Sequence, residues 1–382
     1  MVKKTTNKTQ NESTIMTKSH SELELNVLSI PHDIMLNHLF PIAHCFEKTQ
    51  TMGMFARSCK YANRLFSPKL QTIQDAFKLT TAVLAGEKAQ VKKCLDRQAE
   101  IMFIEVIATD LAGFKRKGSA FQAAIATLDV DMCELMATYF NHIPNAYTIA
   151  AQQIKLKMTA ESKRVANERF VEFMNMLNLG KESVINILND AFNNEDKLDE
   201  VDKVFTRVRL FIAESCRLAQ TTSEGFHFDI RLFSYALNVY ANLLIQRDDR
   251  PNSDFEKFWQ LIIGYLQTFF PACLAQALCQ GFGNLLNEQD LIRSLLLKDG
   301  QFYFLWEKKD ENALIPGENC GIVDEGTKST MCAISLAMFF ANDFDNYVDN
   351  QNQALDVFMA RVIECATTNN YTQSKIASGF GR

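Results

Sequence analysis

Apolar residues recur at helical spacing along almost the whole chain after residue 28, and this periodicity limits the fold to one built from amphipathic helices. One segment fits the i, i+3, i+4, i+7, i+8 pattern without a miss, with apolar residues at Val184, Ile187, Leu188, Ala191 and Phe192. The same pattern returns in residues 201–212 and 230–244. The sequence therefore predicts an all-α fold.

Two segments need a separate interpretation. Residues 301–306, a polar turn and residues 313–315 do not fit the helical pattern and predict one small β-hairpin. The most apolar stretch, residues 258–278, is interrupted at Gln260, Gly264, Gln267 and Pro271. A membrane span needs about 20 consecutive apolar residues, so this stretch is interpreted as a buried helix pair, and no membrane span is expected.

Internal similarity indicates a repeated helical unit. Residues 77–86 lead into apolar positions at Val91 and Leu95, and residues 118–124 lead into a similar apolar helix. Both segments resemble the helix-turn-helix of an ankyrin repeat, although Ala82 and Ala124 lie 42 positions apart instead of the usual 33 or so. The intervening residues 105–117 are expected to form an inserted loop.

Composition excludes several classes of protein. The formal net charge of −5 gives no case for binding nucleic acid, and no basic face emerges along the chain. None of the ten cysteines forms a Cys-x-x-Cys pair, so no metal site is predicted, and free thiols in a reducing compartment are expected. No phosphate loop or dinucleotide fingerprint occurs, so no cofactor is expected.

The N-terminal region carries the most specific motif of the chain. Pro31 follows an apolar residue and pre-sets a helix start, and Asp33 then favours the positive end of the helix dipole. Apolar positions continue along two helices. The positions expected to form one docking face are Ile30, Pro31, Ile34, Met35, Leu39, Ile42, Met52, Phe55, Cys59 and Leu65.

This motif resembles an F-box, the helical module that attaches substrate receptors to the adaptor subunit of cullin-based SCF ubiquitin ligases. A wider resemblance covers the F-box-like segment, the two repeated segments and residues 258–280. Together they resemble secreted effectors of Legionella-type intracellular bacteria. That resemblance implies delivery by type IV secretion into the host cytosol, and residues 1–22 show no apolar core of a secretory signal peptide. It also implies two partners, the host SCF adaptor with its cullin complex and a host target protein.

These observations predict five segments. They are a disordered segment at 1–27, F-box-like docking helices at 28–75, ankyrin-like helical pairs at 76–145, a C-terminal helical domain at 146–366 and a flexible tail at 367–382.

Three functions follow from this organisation. In the first, the chain is a substrate receptor without catalytic residues, and a recruited host ligase transfers ubiquitin. In the second, it is a non-enzymatic scaffold whose N-terminal helices only cap the repeats. In the third, it is a cysteine-dependent enzyme acting on host proteins, with Cys320 as the most exposed thiol and His227 or His142 as the base.

Overall fold

The computed structural model describes residues 53–54, 57, 60–110, 113–180, 182–193, 198–221, 224–246, 258–280, 286 and 334–379. Helices account for 80% of them, and a single two-stranded sheet accounts for the strands. The predicted all-α class is therefore confirmed. None of the described helices is both long enough and apolar enough to cross a membrane.

The chain divides into two compact units, Met1–Leu70 and Gln71–Arg382. The first described helix, α1 (Lys60–Leu84), contains this division and also the predicted boundary at residue 75. The rest of the predicted docking region, apart from residues 53, 54 and 57, lies outside the described residues.

The internal repeat appears as two helix-turn-helix units with the same turn. In the first unit, α1 leads into α2 (Lys88–Leu95), and in the second, α3 (Ala120–Ala126) leads into α4 (Val130–Ala137). Gly86 and Leu128 occupy equivalent turn positions 42 residues apart, with φ of +69° and +60°. The backbone N–H of Gly86 donates to Val83, and that of Leu128 donates in the same way to Ile125.

The segment expected to be an inserted loop forms a β-hairpin instead. Strand β1 (Val106–Thr109) pairs antiparallel with β2 (Lys115–Gly118), and Val106 lies opposite Gly118. The prediction was wrong because the basic run at 115–117 suggests solvated residues. Burial alternates along β2, and Arg116 points inward to a carboxylate. The hairpin predicted at 301–315 lies outside the described residues.

A bundle of longer helices follows the repeats. Its elements are α5 (Ala146–Lys157), α6 (Ala160–Met174) with a π-helical turn at Asn175–Leu179, α7 (Val184–Asn193), α8 (Leu198–Thr221), α9 (Ile230–Gln246), a π-helical segment Trp259–Gly264 with a helical turn at Tyr265–Gln267, α10 (Ala272–Gln280) and α11 (Ile334–Gly379). The helices predicted from apolar periodicity are found as α7, α8 and α9.

The described residues from position 71 onward form two hydrophobic cores. The repeat core contains the buried faces of α1 to α5, and its rings include Phe121, which contacts Phe103 and Phe140 at centroid distances of 5.7 and 5.6 Å. Each fully buried phenylalanine of this kind contributes about 1.5–3 kcal/mol. The bundle core contains the buried faces of α7 to α9, the π-helical segment and the start of α10.

Helix α11 belongs to both cores. Its residues Ala341, Phe344 and Val348 pack in the bundle core, and residues 355–362 contribute to the repeat core. The helix continues to Gly379, through most of the predicted flexible tail, because no proline or glycine interrupts residues 334–378. Helix α5, assigned from sequence to the C-terminal domain, shares the repeat core. The predicted domain boundaries stay predictions.

Candidate functional site

The predicted docking face is not described by the structure. Its residues up to Met52, together with Phe55 and Cys59, lie outside the described residues. Leu65 lies within α1, but its side chain is not among those described. The docking face therefore stays a prediction.

The described cysteines are poorly suited to nucleophilic chemistry. Cys94, Cys133, Cys216 and Cys273 are buried. Burial raises the pKa of the Cys133 thiol well above its ordinary value, and it raises that of Cys216 to about 12. The reactive form of cysteine is the thiolate, so these two thiols are inert near neutral pH. Cys320 lies outside the described residues.

A pocket of about 680 Å³ opens between the two hydrophobic cores. One wall carries Leu128, Met158 and Phe226, which pack against the repeat core. The other carries Leu274 and Tyr347, which belong to or pack against the bundle core. Volumes of about 300–1,000 Å³ with apolar walls and a few polar groups are typical of small-molecule sites.

The loop between α8 and α9 forms one end of this pocket. Its Gly225 donates a backbone hydrogen bond to the Lys157 carbonyl at 2.7 Å, and its His227 donates one to the Ala126 carbonyl at 2.9 Å. Gly225 has φ of +73°, a left-handed conformation that glycine adopts at little cost. These bonds fix the loop across the C-terminal ends of α3 and α5, so His227 is held in the pocket wall.

Two further basic side chains lie behind this wall and form a cluster with His227. Arg116 of β2, Lys157 at the end of α5 and His227 have exposed fractions of 2%, 1% and 5%. The Arg116 Nε donates to Asp110 at 2.9 Å, but its Nη1 has no partner among the described residues, and neither has the His227 Nδ1. Lys157 forms no salt bridge with any described residue. We call these three residues the basic cluster.

Burial governs the protonation of the basic cluster. The pKa of Lys157 is lowered to about 7, mainly by burial and also by the charge of Arg116, while Glu224 opposes the shift. Burial also lowers the pKa of His227 well below its ordinary value, helped by the charges of Lys157 and Arg116. His227 is therefore neutral near pH 7, and Lys157 changes its protonation state within the physiological pH range.

The polar groups that line the pocket differ in how they are paired. Arg231 is held by both oxygens of Asp229, and Glu224 accepts a hydrogen bond from the Thr159 hydroxyl at 2.6 Å. Arg169 is half-buried and contacts the Ser215 hydroxyl at 3.0 Å, but it has no carboxylate partner among the described residues.

Sequence reasoning found little of this site, naming His227 only as a distant base for Cys320. One local signal was available, because Ala146, Ala150, Ile154 and Lys157 recur at helical spacing along the buried face of α5. A lysine on such a face is unusual and marks a buried charge. The described residues contain no cluster of three or more His, Cys, Asp or Glu able to hold a metal ion.

No family model, no curated protein and no solved structure matches this chain. Function is therefore inferred from its own residues and geometry.

Proposed function

We propose that this chain is a substrate receptor without catalytic residues of its own. Its F-box-like segment docks on the host SCF adaptor, and its helical body recruits a host protein to the ligase. The observation that carries the proposal is the pattern from Ile30-Pro31 to Leu65, where a predicted proline-started helix is followed by apolar positions that resemble those of an F-box.

The helical body supports a recruiting role. Two helix-turn-helix units with the same turn stand beside a second helical core, and helical repeats commonly present extended binding surfaces. Burial raises the pKa of the Cys133 and Cys216 thiols, so these two residues do not favour cysteine-dependent catalysis.

Delivery belongs to the same proposal. The resemblance to effectors of Legionella-type bacteria supports delivery into the host cytosol by type IV secretion. The SCF adaptor is present in that compartment, so both partners of the docking interaction would meet there.

The test is capture of purified SCF adaptor by the full chain. The double variant Pro31→Ala, Ile34→Ala removes the helix start and one apolar anchor. Truncating a buried interface anchor commonly costs about 2 kcal/mol or more, so adaptor affinity should fall by about thirtyfold or more. The matched control, Ile15→Ala with Pro316→Ala, makes the same exchanges away from the docking face and should leave capture unchanged.

The outcomes separate the receptor from a simple scaffold. Capture by the parent and the control, with loss in the double variant at unchanged helicity, supports the receptor. Equal capture by the double variant contradicts the assigned docking face. No capture by the parent contradicts the ubiquitin link and leaves a non-enzymatic interaction scaffold.

A further inference from the structure

The charged side chains in and behind the wall of the pocket between the two cores do not sum to zero. Charged side chains in or directly behind its wall comprise four cations and three carboxylates, namely Arg116, Lys157, Arg169 and Arg231 with Asp110, Glu224 and Asp229. The lining residues Lys163 and Glu161 are both exposed, and with Arg164, which bridges Glu161 and Glu168, the four charges sum to zero. One positive charge is left over when Lys157 is protonated, although the whole chain carries −5.

The residues behind the wall act electrostatically on the residues that form it. His227 lines the pocket, and the charges of Lys157 and Arg116 both lower its pKa. Cys216 also lines the pocket, and its pKa is affected by Arg116 and by Asp110. The positive charge of the basic cluster is therefore felt inside the pocket.

Hydrogen-bonding atoms without partners lie at this end of the pocket and directly behind its wall. The Arg116 Nη1 and the His227 Nδ1 are buried and make no hydrogen bond within the described part of the chain. A buried donor without an acceptor destabilises the fold by about 1–3 kcal/mol. A ligand that supplies an acceptor at this end would remove that penalty. All three carboxylates are already engaged, Asp110 by Arg116, Glu224 by Thr159 and Asp229 by Arg231.

We propose that this pocket binds a small amphipathic monoanion, a carboxylate with an aliphatic chain. The carboxylate lies at the His227 end, within the field of Lys157 and Arg116. The chain lies between the apolar walls formed by Leu128, Met158, Phe226, Leu274 and Tyr347. This inference does not depend on adaptor docking.

Charge and shape favour this class over the other small ligands. A monoanion cancels the single excess positive charge, whereas a cation would add to it and a dianion would leave a net negative charge in a desolvated place. The walls are largely apolar side chains from two cores, so burial of an aliphatic chain stabilises the complex by about 25 cal/mol per Å². A fully polar anion would gain nothing from them.

The experiment is calorimetric titration of the full chain with sodium dodecanoate below its micelle concentration. The uncharged 1-dodecanol and the cationic dodecyltrimethylammonium serve as probes of equal chain length. We expect dodecanoate to bind at one site, at least tenfold more tightly than dodecanol, because hydrogen bonds to charged groups are worth about one to two decades in affinity. Dodecyltrimethylammonium should bind more weakly than dodecanol.

Two variants test the charged end separately. Lys157→Met and Arg169→Gln should each weaken dodecanoate binding by about tenfold and leave dodecanol binding unchanged. Arg169 is only half-buried, so its variant tests the charge even if the Lys157 variant does not fold. Lys155→Met, exposed on the same helix α5, and Arg97→Gln, exposed and outside the pocket lining, are the matched controls.

A third variant tests the location. Ala166 lines the pocket on α6, and Ala166→Trp should obstruct part of it and weaken the binding of both dodecanoate and dodecanol. Equal affinity of the parent for dodecanoate and dodecanol, no dodecanoate binding, or unchanged dodecanoate binding in both Arg169→Gln and Ala166→Trp would overturn the proposal.

Discussion

Two groups of buried polar side chains lie one helical turn apart on α5, and they differ in how completely they are hydrogen-bonded. At Gln153, the amide oxygen accepts from the Ser119 hydroxyl at 2.7 Å, and the amide nitrogen donates to the Phe103 carbonyl at 2.9 Å. Ser119 also accepts from the Gln122 backbone in a capping box at the start of α3. At Lys157, the basic cluster leaves nitrogen atoms of Arg116 and His227 without partners among the described residues.

The difference in hydrogen bonding indicates different roles for the Gln153 group and the basic cluster. A satisfied buried network fixes the register of α3, α5 and the 3₁₀ turn at Ala99–Phe103, so it contributes to a unique fold. An unsatisfied one costs stability without fixing structure, and strongly perturbed ionisable groups beside a cavity are typical of functional sites. We therefore interpret the Gln153 network as structural and the basic cluster as part of a binding site.

The largest expected effect tests whether the repeats depend on the structural network and on the helices that follow. A fragment covering residues 76–145 lacks Gln153, the rest of α5 and the residues of α11 that close the repeat core. Two repeats with apolar ends exposed are not expected to fold, so the fragment should show low helicity by circular dichroism and no cooperative melt. A cooperative melt with native-like helicity would show that the repeats are independent.

A smaller effect is expected from breaking the network inside the full chain. Gln153→Leu leaves the Ser119 hydroxyl and the Phe103 carbonyl without their partner, and two such losses should lower the free energy of unfolding by about 3 kcal/mol. Chemical denaturation measures this change. The neighbouring Gln152 is exposed, so Gln152→Leu should change the stability by less than about 0.5 kcal/mol. Similar values for the two variants would refute a structural role for Gln153.

The sequence alone predicts those structural features that depend on a local residue pattern. The helices α7 to α9 follow from apolar spacing, because each buries one face against a single core. The repeat follows from the small residues Ala82 and Ala124 and from the shared turn. Even the Ser119 capping box is visible, since Gln122 follows three positions later.

The basic cluster could not be predicted because its members come from distant segments. Arg116 lies on a hairpin strand that reads as a solvated loop, and His227 lies in a connecting loop. Lys157 alone carries a local signal, as a lysine on the buried face of α5. The packing of the hairpin, α5 and the loop determines which charges come together and which stay unpaired. The spacing of apolar residues does not predict this packing.

The most direct measurement of the central claim is the stability difference between Lys157→Met and the parent as a function of pH. The native pKa of Lys157 is about 7, below its ordinary value of 10.5, so above pH 7 the unfolded chain binds more protons than the native one. Parent stability should rise with pH in this window by about 1.4 kcal/mol per unit, and the variant should lack this contribution.

Arg116 on β2, Asp110 in the hairpin turn, and Glu224 and His227 in the loop are present in both proteins. Burial is the main cause of the low pKa of His227, so His227 is neutral above pH 7 in both proteins, and Lys157 dominates the difference. We predict that Lys157→Met is more stable than the parent at pH 7 and that its advantage shrinks by about 2–3 kcal/mol between pH 7 and pH 9. Exposed Lys155→Met should show no such trend. A Lys157→Met protein that is less stable than the parent at pH 7, or a difference independent of pH, would show that the ammonium group stabilises the fold and would contradict the account.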